Sequence, residues 1–469
     1  MYNHPQAEVE ITHLADPDNV PLPLSRRRLH HHLERYYGER ANFAGVLDNP
    51  SPSLQLFIDG VMIERDQVRI CNLSDDGAGW SHSPSPAGIY AIDPQLGRVA
   101  LPAEADDPSD VRLNWHEGFS ADIGGGEYER GDSLPDPLDP ATLVRVPDEH
   151  STLESALVAI AGDGVIEITD NSRYSETLAI NVMAEGRVEI RARNNRRPVL
   201  QLDGFTVTGG ENSSCILNGL LISGAPLEVA DVSDNRLARL DLLHCTLVPG
   251  IALNTDGTPQ QAGAASLIVA VGGVETDIQK SIVGAIRCHE RSSVRAQNSC
   301  IDANSPEAVA YAGVDGDSAG AALSLLACTL VGKVHASEMP LVSNSILLAS
   351  LSAADSWAVP VRAERKQVGC VRFSWLPYSS IVPKRYHCQP DSAEAGLQVT
   401  PRFTSLHYGT AAYGQLARST PDQIIRGADD ESEMGVFHHV YGAQRETNLR
   451  IRLAEYLRVG LRAGIFYES

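Results

Sequence analysis

The chain is poor in aromatics, short of basic residues and free of long apolar runs. Phe, Tyr and Trp make up 6% of its 469 residues, and Tyr311 is the one aromatic between Thr208 and Glu338. Sugar-stacking surfaces are therefore scarce across that stretch, and any core there is built from Val, Ile, Leu, Ala and Cys. Lys and Arg number 38 against 60 Asp and Glu, a formal net charge of -22. Phosphate binding needs a basic face, so the balance argues against nucleic acid and anionic membrane as partners. No stretch approaches the roughly 20 apolar residues of a membrane span, so no membrane insertion is expected. The start, Met1-Tyr2-Asn3-His4-Pro5-Gln6, has neither a basic n-region nor an apolar h-region. Cytoplasmic synthesis without a signal peptide is the expectation. The eight cysteines form no C-x-x-C pair, which argues against a zinc ribbon or a thioredoxin-like site. They are expected to be thiols acting as small buried hydrophobes; Cys370 and Cys388 flank a loop and are the one pair considered for a disulfide.

What the chain does have is a recurrent short apolar segment. Ser214-Cys215-Ile216-Leu217, His244-Cys245-Thr246-Leu247, Lys280-Ser281-Ile282-Val283, Asn298-Ser299-Cys300-Ile301, Ala327-Cys328-Thr329-Leu330 and Asn344-Ser345-Ile346-Leu347 each place a small Cys or Ser near aliphatic or β-branched residues. Self-similarity at roughly 20 to 40 residues marks a solenoid, and strand-type segments make it a β-solenoid.

Around this centre the chain divides into 1–40 (an extension and a short helix), 41–130 (a small β domain), 141–351 (the solenoid), 352–443 (irregular strands and loops) and 444–469 (a C-terminal helix). Ser25 caps a helix whose Leu29, Leu33 and Tyr36 share a face; His30, His31 and His32 point apart on it and do not form a metal site. Leu54 to Ile58, Asp59-Gly60 and Val61 to Ile63 read as a hairpin. Tyr90 to Leu101 is a second strand–turn–strand, and Val111 to Trp115 is a further strand. Gly124-Gly125-Gly126 lacks the strand-before, helix-after context of a phosphate loop and reads as a hinge between domains. Ser151-Thr152-Leu153-Glu154 has the S-x-x-E form of a capping box, opening a helix that Gly162-Asp163-Gly164 stops. Leu449, Leu453, Leu457 and Leu461 give the last helix one apolar stripe, read as a lid on the final rung ahead of a contact with a partner subunit. The acidic turn Gly427 to Gly435 lacks the ligand spacing of an EF-hand loop, so no calcium is expected.

Residues 142–203 resemble the start of right-handed parallel β-helix proteins such as pectin methylesterases and phage tailspikes, in which a helix caps the open end of the coil. That resemblance requires a test for sugar chemistry. Asn254-Thr255-Asp256-Gly257 matches the N-T-D-G of polygalacturonases, but their D-D and G-H-G partners are not matched: Thr276-Asp277 and Cys288-His289-Glu290 stand instead. An inverting hydrolase needs two carboxyl groups, and one motif does not supply them. A lyase would draw on Asp315 and Asp317 with Lys333 or Arg287, which nothing in the sequence joins. The Q-D-x-L type signature of the methylesterases is absent. The reading is therefore of a mainly β chain, a right-handed parallel β-helix with a small N-terminal β domain and a C-terminal amphipathic helix. It has no catalytic, cofactor-binding or metal residue assigned, and no cofactor.

A narrower resemblance lies on the flanks. Ala91 to Val99, Gly118 to Gly126, Gly427 to Gly435, and Arg445 to Arg450 through Phe466 are similar to segments of β-helix proteins associated with phage-tail-like contractile injection gene clusters. The resemblance implies a non-catalytic structural or accessory part, a fibre, spike or baseplate-associated protein. Its partners would be other subunits of a particle. A homotrimer is one arrangement such coils adopt, although no heptad run enforces it here. The alternative is a polysaccharide lyase or hydrolase, or a glycan-binding module, using the flank of the coil and a surface glycan.

Overall fold

The computed structural model describes residues 1–3, 22–38, 53–77, 79–135 and 142–465. Residues 4–21 of the proline-rich start and 136–140 lie outside them. The chain falls into two compact units, Met1–Phe119 with the end from Gly464, and Ser120–Ala463.

The first unit bears out the hairpin. Leu54–Ile58 pairs antiparallel with Val61–Met62, and Asp59 and Gly60 both take the positive φ of a tight two-residue turn. Val111–Trp115 covers the other edge of Leu54–Ile58. Ser25 caps Arg26–His31 by accepting from the Arg28 amide, which turns Leu29 into a core of Leu24, Tyr36, Leu54, Leu56, Val68 and Ile92. His30, His31 and His32 remain exposed. Asp93 is fully buried, and it is satisfied by a bidentate Arg26 at 2.9 and 2.8 Å and by the amides of Leu73, Gln95 and Leu96.

The second unit is built on two large sheets of 11 and 14 strands, in which every pairing is parallel. They resolve into three ladders. Ladder A is the 11-stranded sheet and includes Ser213–Asn218, Leu237–Leu243, Glu275–Gln279 and Ser293–Gln297. The 14-stranded sheet branches at Val199–Gly209. Its first part pairs with Leu221–Ser223, which starts ladder B, and its second part with Leu227–Val229, which starts ladder C. From there the chain visits A, B and C in turn, and each strand pairs with the one three later until Gly369–Arg372, which pairs with the next strand, Arg385–Tyr386. This is a mainly β architecture compatible with the expected solenoid. One continuous apolar cluster runs through it from Val146 to Cys388. The helix Leu153–Ile160 contributes Leu153, Ala156 and Ile160 to that cluster, as an end cap does. Its N-cap is Thr152, bonded to the Ser155 amide, so the capping box expected from Ser151 is not formed. Glu176 instead accepts the Leu153 and Glu154 amides at 3.1 and 3.0 Å.

The recurrent Cys and Ser mark a corner. Between ladders A and B each coil turns on one left-handed residue: Gly219, His244, Lys280, Asn298, Ala327, Asn344, Phe373 and His387 all have positive φ. The residue that follows is Leu220, Cys245, Ser281, Ser299, Cys328, Ser345, Ser374 and Cys388 in turn. The Ser281 hydroxyl donates to Gln279 O at 2.8 Å and accepts the amide of Cys245, one coil earlier, at 3.0 Å. Ser299 repeats this with Gln297 O and the Ser281 amide, and Ser345 with Ser343 O and the Cys328 amide. The Cys245 and Cys328 thiols point at Leu243 O and Leu326 O, both at 3.3 Å. The expected burial holds for six of the eight cysteines, while Cys71 and Cys370 are half-buried, and all eight are free thiols, Cys370 and Cys388 included. Ser214-Cys215 is the exception, since it lies inside a ladder A strand.

Gly124-Gly125-Gly126 is not a hinge. It is a strap pressed onto ladder B. The Gly124 amide donates to Lys280 O at 2.8 Å and the Gly125 amide to Thr246 Oγ1 at 3.0 Å. A Cβ on Gly125 would lie 2.5 Å from the Leu220 backbone, which is why glycine stands there. Arg130, almost fully buried, fastens the far side through the carbonyls of Gly126, Arg193 and Arg196. A second strap repeats the design. The Gly435 amide donates to Asn344 O at 2.8 Å and the Val436 amide to Thr329 Oγ1 at 3.0 Å. Thr246 and Thr329 belong to the two Cys-Thr-Leu-Val segments.

Candidate functional site

A dense group of polar side chains lies on ladder C. Lys333–Ala336 and Val361–Ala363 pair with His335 opposite Arg362, so both side chains share the outer face. Asp315 folds the preceding loop back on itself, its Oδ1 accepting the Asp317 and Ser318 amides and the Ser318 hydroxyl at 2.8 to 2.9 Å. The loop then reaches His335, whose Nδ1 lies 2.7 Å from Asp317 O and whose Nε2 lies 2.7 Å from Glu364 Oε1. Arg362 closes on the same Glu364 oxygen at 2.6 Å. The His335 hydrogen bond and the Arg362 charge hold Glu364 below the ordinary carboxylate range. Lys333 pairs with Asp355 at 2.5 Å, which lowers the Asp355 pKa, and stands 5.0 Å from the centre of the Trp357 ring. Trp357 Nε1 donates to Asp317 Oδ1 at 2.8 Å. Arg287 lies beside Gly316 and is held by Ile286 O and Val309 O.

The parts considered for a lyase are thus brought near one another: Asp317 and Lys333 through Trp357, and Arg287 through the loop at Gly316. Each carboxylate is already engaged, however. Asp315 holds its own loop, Asp317 holds Trp357, Asp355 holds Lys333, and Glu364 holds His335 and Arg362. A calcium-assisted proton abstraction needs uncommitted carboxylates beside a base, and this network offers a closed set instead. His335, Trp357, Asp355 and Glu364 escaped sequence reasoning because they come from separate coils and share no motif.

The hydrolase motif fares differently. Asp256 sits in an exposed loop after ladder B, where its Oδ1 accepts the Thr258 amide at 2.9 Å and hydroxyl at 2.6 Å; these bonds hold its pKa below the ordinary range. Thr276 and Asp277 belong to ladder A, with Asp277 3.8 Å from Arg239, and Cys288 lies on ladder C. The structure does not bring them to Asp256. Beside that loop, a cleft of about 250 Å³ is lined by Leu253, Pro259, Asn304, Leu406, His407 and Tyr408. Asp302 is buried, which pushes its carboxyl up, and it accepts the Tyr413 hydroxyl at 2.8 Å.

In the acidic turn, ligand atoms of Asp429, Asp430 and His438 lie within 4.8 Å of one another. His438 was not part of the turn as read from sequence. Internal bonds account for the grouping. Asp429 takes the Asn344 amide group at 2.7 Å, and Asp430 takes the Ser432 hydroxyl at 2.6 Å. Burial pushes the Cys245 and Cys328 thiols up to about 12, so neither is a nucleophile at neutral pH.

The last helix, Gly442–Tyr456, is not a lid. Ala443 is its one buried residue among those described. It ends before Leu457 and Leu461, which removes half of the expected stripe, and Leu449 is exposed at 46%.

No family model matches the chain, and no curated protein matches it.

Proposed function

We propose that this chain is a right-handed parallel β-helix protein that serves as a non-catalytic structural or accessory part of a phage-tail-like contractile injection particle, as a fibre, spike or baseplate-associated component. The observation that carries the reading is the engaged state of the exterior. Two glycine straps lie on ladder B at Thr246 and Thr329, and on ladder C Asp317, Asp355 and Glu364 are tied to cations or to neighbouring hydrogen-bond donors. Such a surface offers fixed shape more than reactive groups. The three parallel ladders support the solenoid, whose hand is part of the proposal. Its partners would then be other particle subunits, with a homotrimer as one arrangement, and it would leave the cell within the particle.

The test is to purify particles from a strain lacking the gene and compare them with wild type by negative-stain microscopy and by protein composition. Loss of a density or of a companion subunit is expected. Particles unchanged in shape and composition would overturn the reading.

A second reading, glycan binding or cleavage on the flank, draws on Trp357 with Lys333 and His335 beside it. A panel of acidic and neutral glycans, with Asp256→Ala and Asp317→Ala as controls, separates the two. A panel that shows no binding and no cleavage retires it.

A further inference from the structure

One side chain joins three parts of ladder C that lie apart in the chain. His335 stands on Lys333–Ala336 and is almost fully buried. Its Nδ1 is 2.7 Å from the Asp317 carbonyl oxygen in the preceding loop, and its Nε2 is 2.7 Å from Glu364 Oε1, just after Val361–Ala363. A backbone carbonyl has no proton to give, so Nδ1 donates to it. Glu364 has none either, because Arg362 closes on the same Oε1 at 2.6 Å and the carboxyl is held below the ordinary range. Nε2 therefore donates as well. A neutral imidazole has one N–H, so two donated bonds require the imidazolium.

The loop that the ring holds is bonded mostly to itself. Gly313 N donates to Ser318 O, Gly316 N to Gly313 O, and Asp315 Oδ1 gathers the Asp317 and Ser318 amides. Asp317 is its tie to the coil: the carbonyl meets His335, and the carboxylate takes Trp357 Nε1 at 2.8 Å. Trp357 in turn stands edge-on to the His335 ring, with centroids 5.5 Å apart. The loop seats over Arg287, since a Cβ on Gly316 would lie 3.4 Å from the Arg287 Nε. The charged groups around the ring are Glu364 and Arg362 on its own sheet, Asp315 and Asp317 in the loop, and the Lys333–Asp355 pair across Trp357.

We infer that His335 is a proton-operated clasp: the charged ring holds the 313–318 loop against ladder C, and loss of one ring proton to solvent releases the loop and uncovers Arg287. The sign follows from the donors. Both bonds stand while the ring carries two protons. As pH rises and one is lost, a lone pair faces a carbonyl or a carboxylate at hydrogen-bond distance, and that contact turns repulsive. The ladder strands do not depend on the ring and stay paired. The clasp is a property of the isolated chain and stands or falls without the particle.

Hydrogen exchange of the full-length chain tests it, read by mass spectrometry between about pH 5 and about pH 8 and corrected for the intrinsic rate. Peptides covering Gly313 to Gly320 should lose at least about tenfold of their protection as pH rises, while Ser293–Gln297 on ladder A holds its own. His335→Gln has no proton to lose in this range, so it should abolish the change and leave the loop as open as wild type near about pH 8. Glu364→Gln should keep the loop closed throughout, because its amide donates to a neutral ring while its oxygen still accepts Arg362. Loop protection that does not change with pH overturns the inference. So does a change that persists in His335→Gln, or one shared equally by Ser293–Gln297.

Discussion

The Ser281 hydroxyl accepts the amide hydrogen of Cys245 from one coil earlier, at 3.0 Å, while donating to its own Gln279 carbonyl at 2.8 Å. A left-handed corner residue turns the next amide away from the strand ladder, and a buried amide without an acceptor is costly. A short side chain with a γ oxygen reaches back two residues and also faces the neighbouring coil. Sulfur at the same position also points back at a carbonyl, which explains why Ser and Cys share it.

Ser281→Ala should therefore destabilise the fold by about 1–3 kcal/mol, because the Cys245 amide is left buried and unmatched. Ser281→Cys should cost less. Urea unfolding followed by far-UV circular dichroism measures both; equal losses for the two variants would contradict the corner role.

Gly125→Ala should release the first strap, since its Cβ would lie 2.5 Å from the Leu220 backbone, which has no room to retreat. The expected loss is about 1–3 kcal/mol, together with new protease cleavage near residue 130. Thr246→Val, which removes the acceptor of the Gly125 amide, should act in the same direction. Gly79→Ala, where a Cβ meets nothing within 4 Å, serves as the silent control. Protease resistance equal to wild type in Gly125→Ala would remove the strap from the account.

The repeats made the strands of the coil legible because aliphatic residues recur beside a marked corner residue. The marker itself was misread in one place. Cys215 has the right neighbours, but it lies mid-strand, and the true corner there is Gly219-Leu220. Local pattern cannot tell a small residue at a corner from one in a strand when both are buried. The straps were illegible for a different reason: Gly124 and Gly435 are explained by Thr246 and Thr329, more than 100 positions away from each in one direction or the other. The ladder C network was half legible, because Asp317, Lys333 and Arg287 are chemically conspicuous. His335 and Trp357 gain meaning from coil stacking alone.

Two groups, His244 and the half-buried Glu433, give opposite pH dependences. Burial, with Lys280 and Arg130 nearby, pushes His244 from 6.5 down to about 4. Between those values the unfolded chain binds the extra proton, so this group's contribution falls as pH drops through that window, by up to about 3 kcal/mol at ~1.36 kcal/mol per unit. Burial also raises Glu433 from 4.5 to about 7. There the folded state retains the proton, so stability is full below 4.5 and is lost as pH rises to about 7. His244→Asn should gain stability relative to wild type near pH 4, and Glu433→Gln should gain it near about pH 8. Thermal melts across the range check both; gains that do not depend on pH would refute the assignments.

The Lys333–Asp355 pair decides whether ladder C is built for stability or for chemistry. Its side chains are 9% and 6% exposed, so removing one leaves the other's charge poorly solvated. Lys333→Met and Asp355→Leu should each cost about 2 kcal/mol, less than a fully interior pair because solvent is close by. The double variant should recover most of that loss, with the apolar pair packing against Trp357. A double-mutant cycle by denaturant unfolding gives the coupling. Strong coupling marks the pair as a structural tie. Near-zero coupling, with single variants as stable as wild type, would mean that the fold does not need the pair, and the ladder C face would then have to be explained by a ligand.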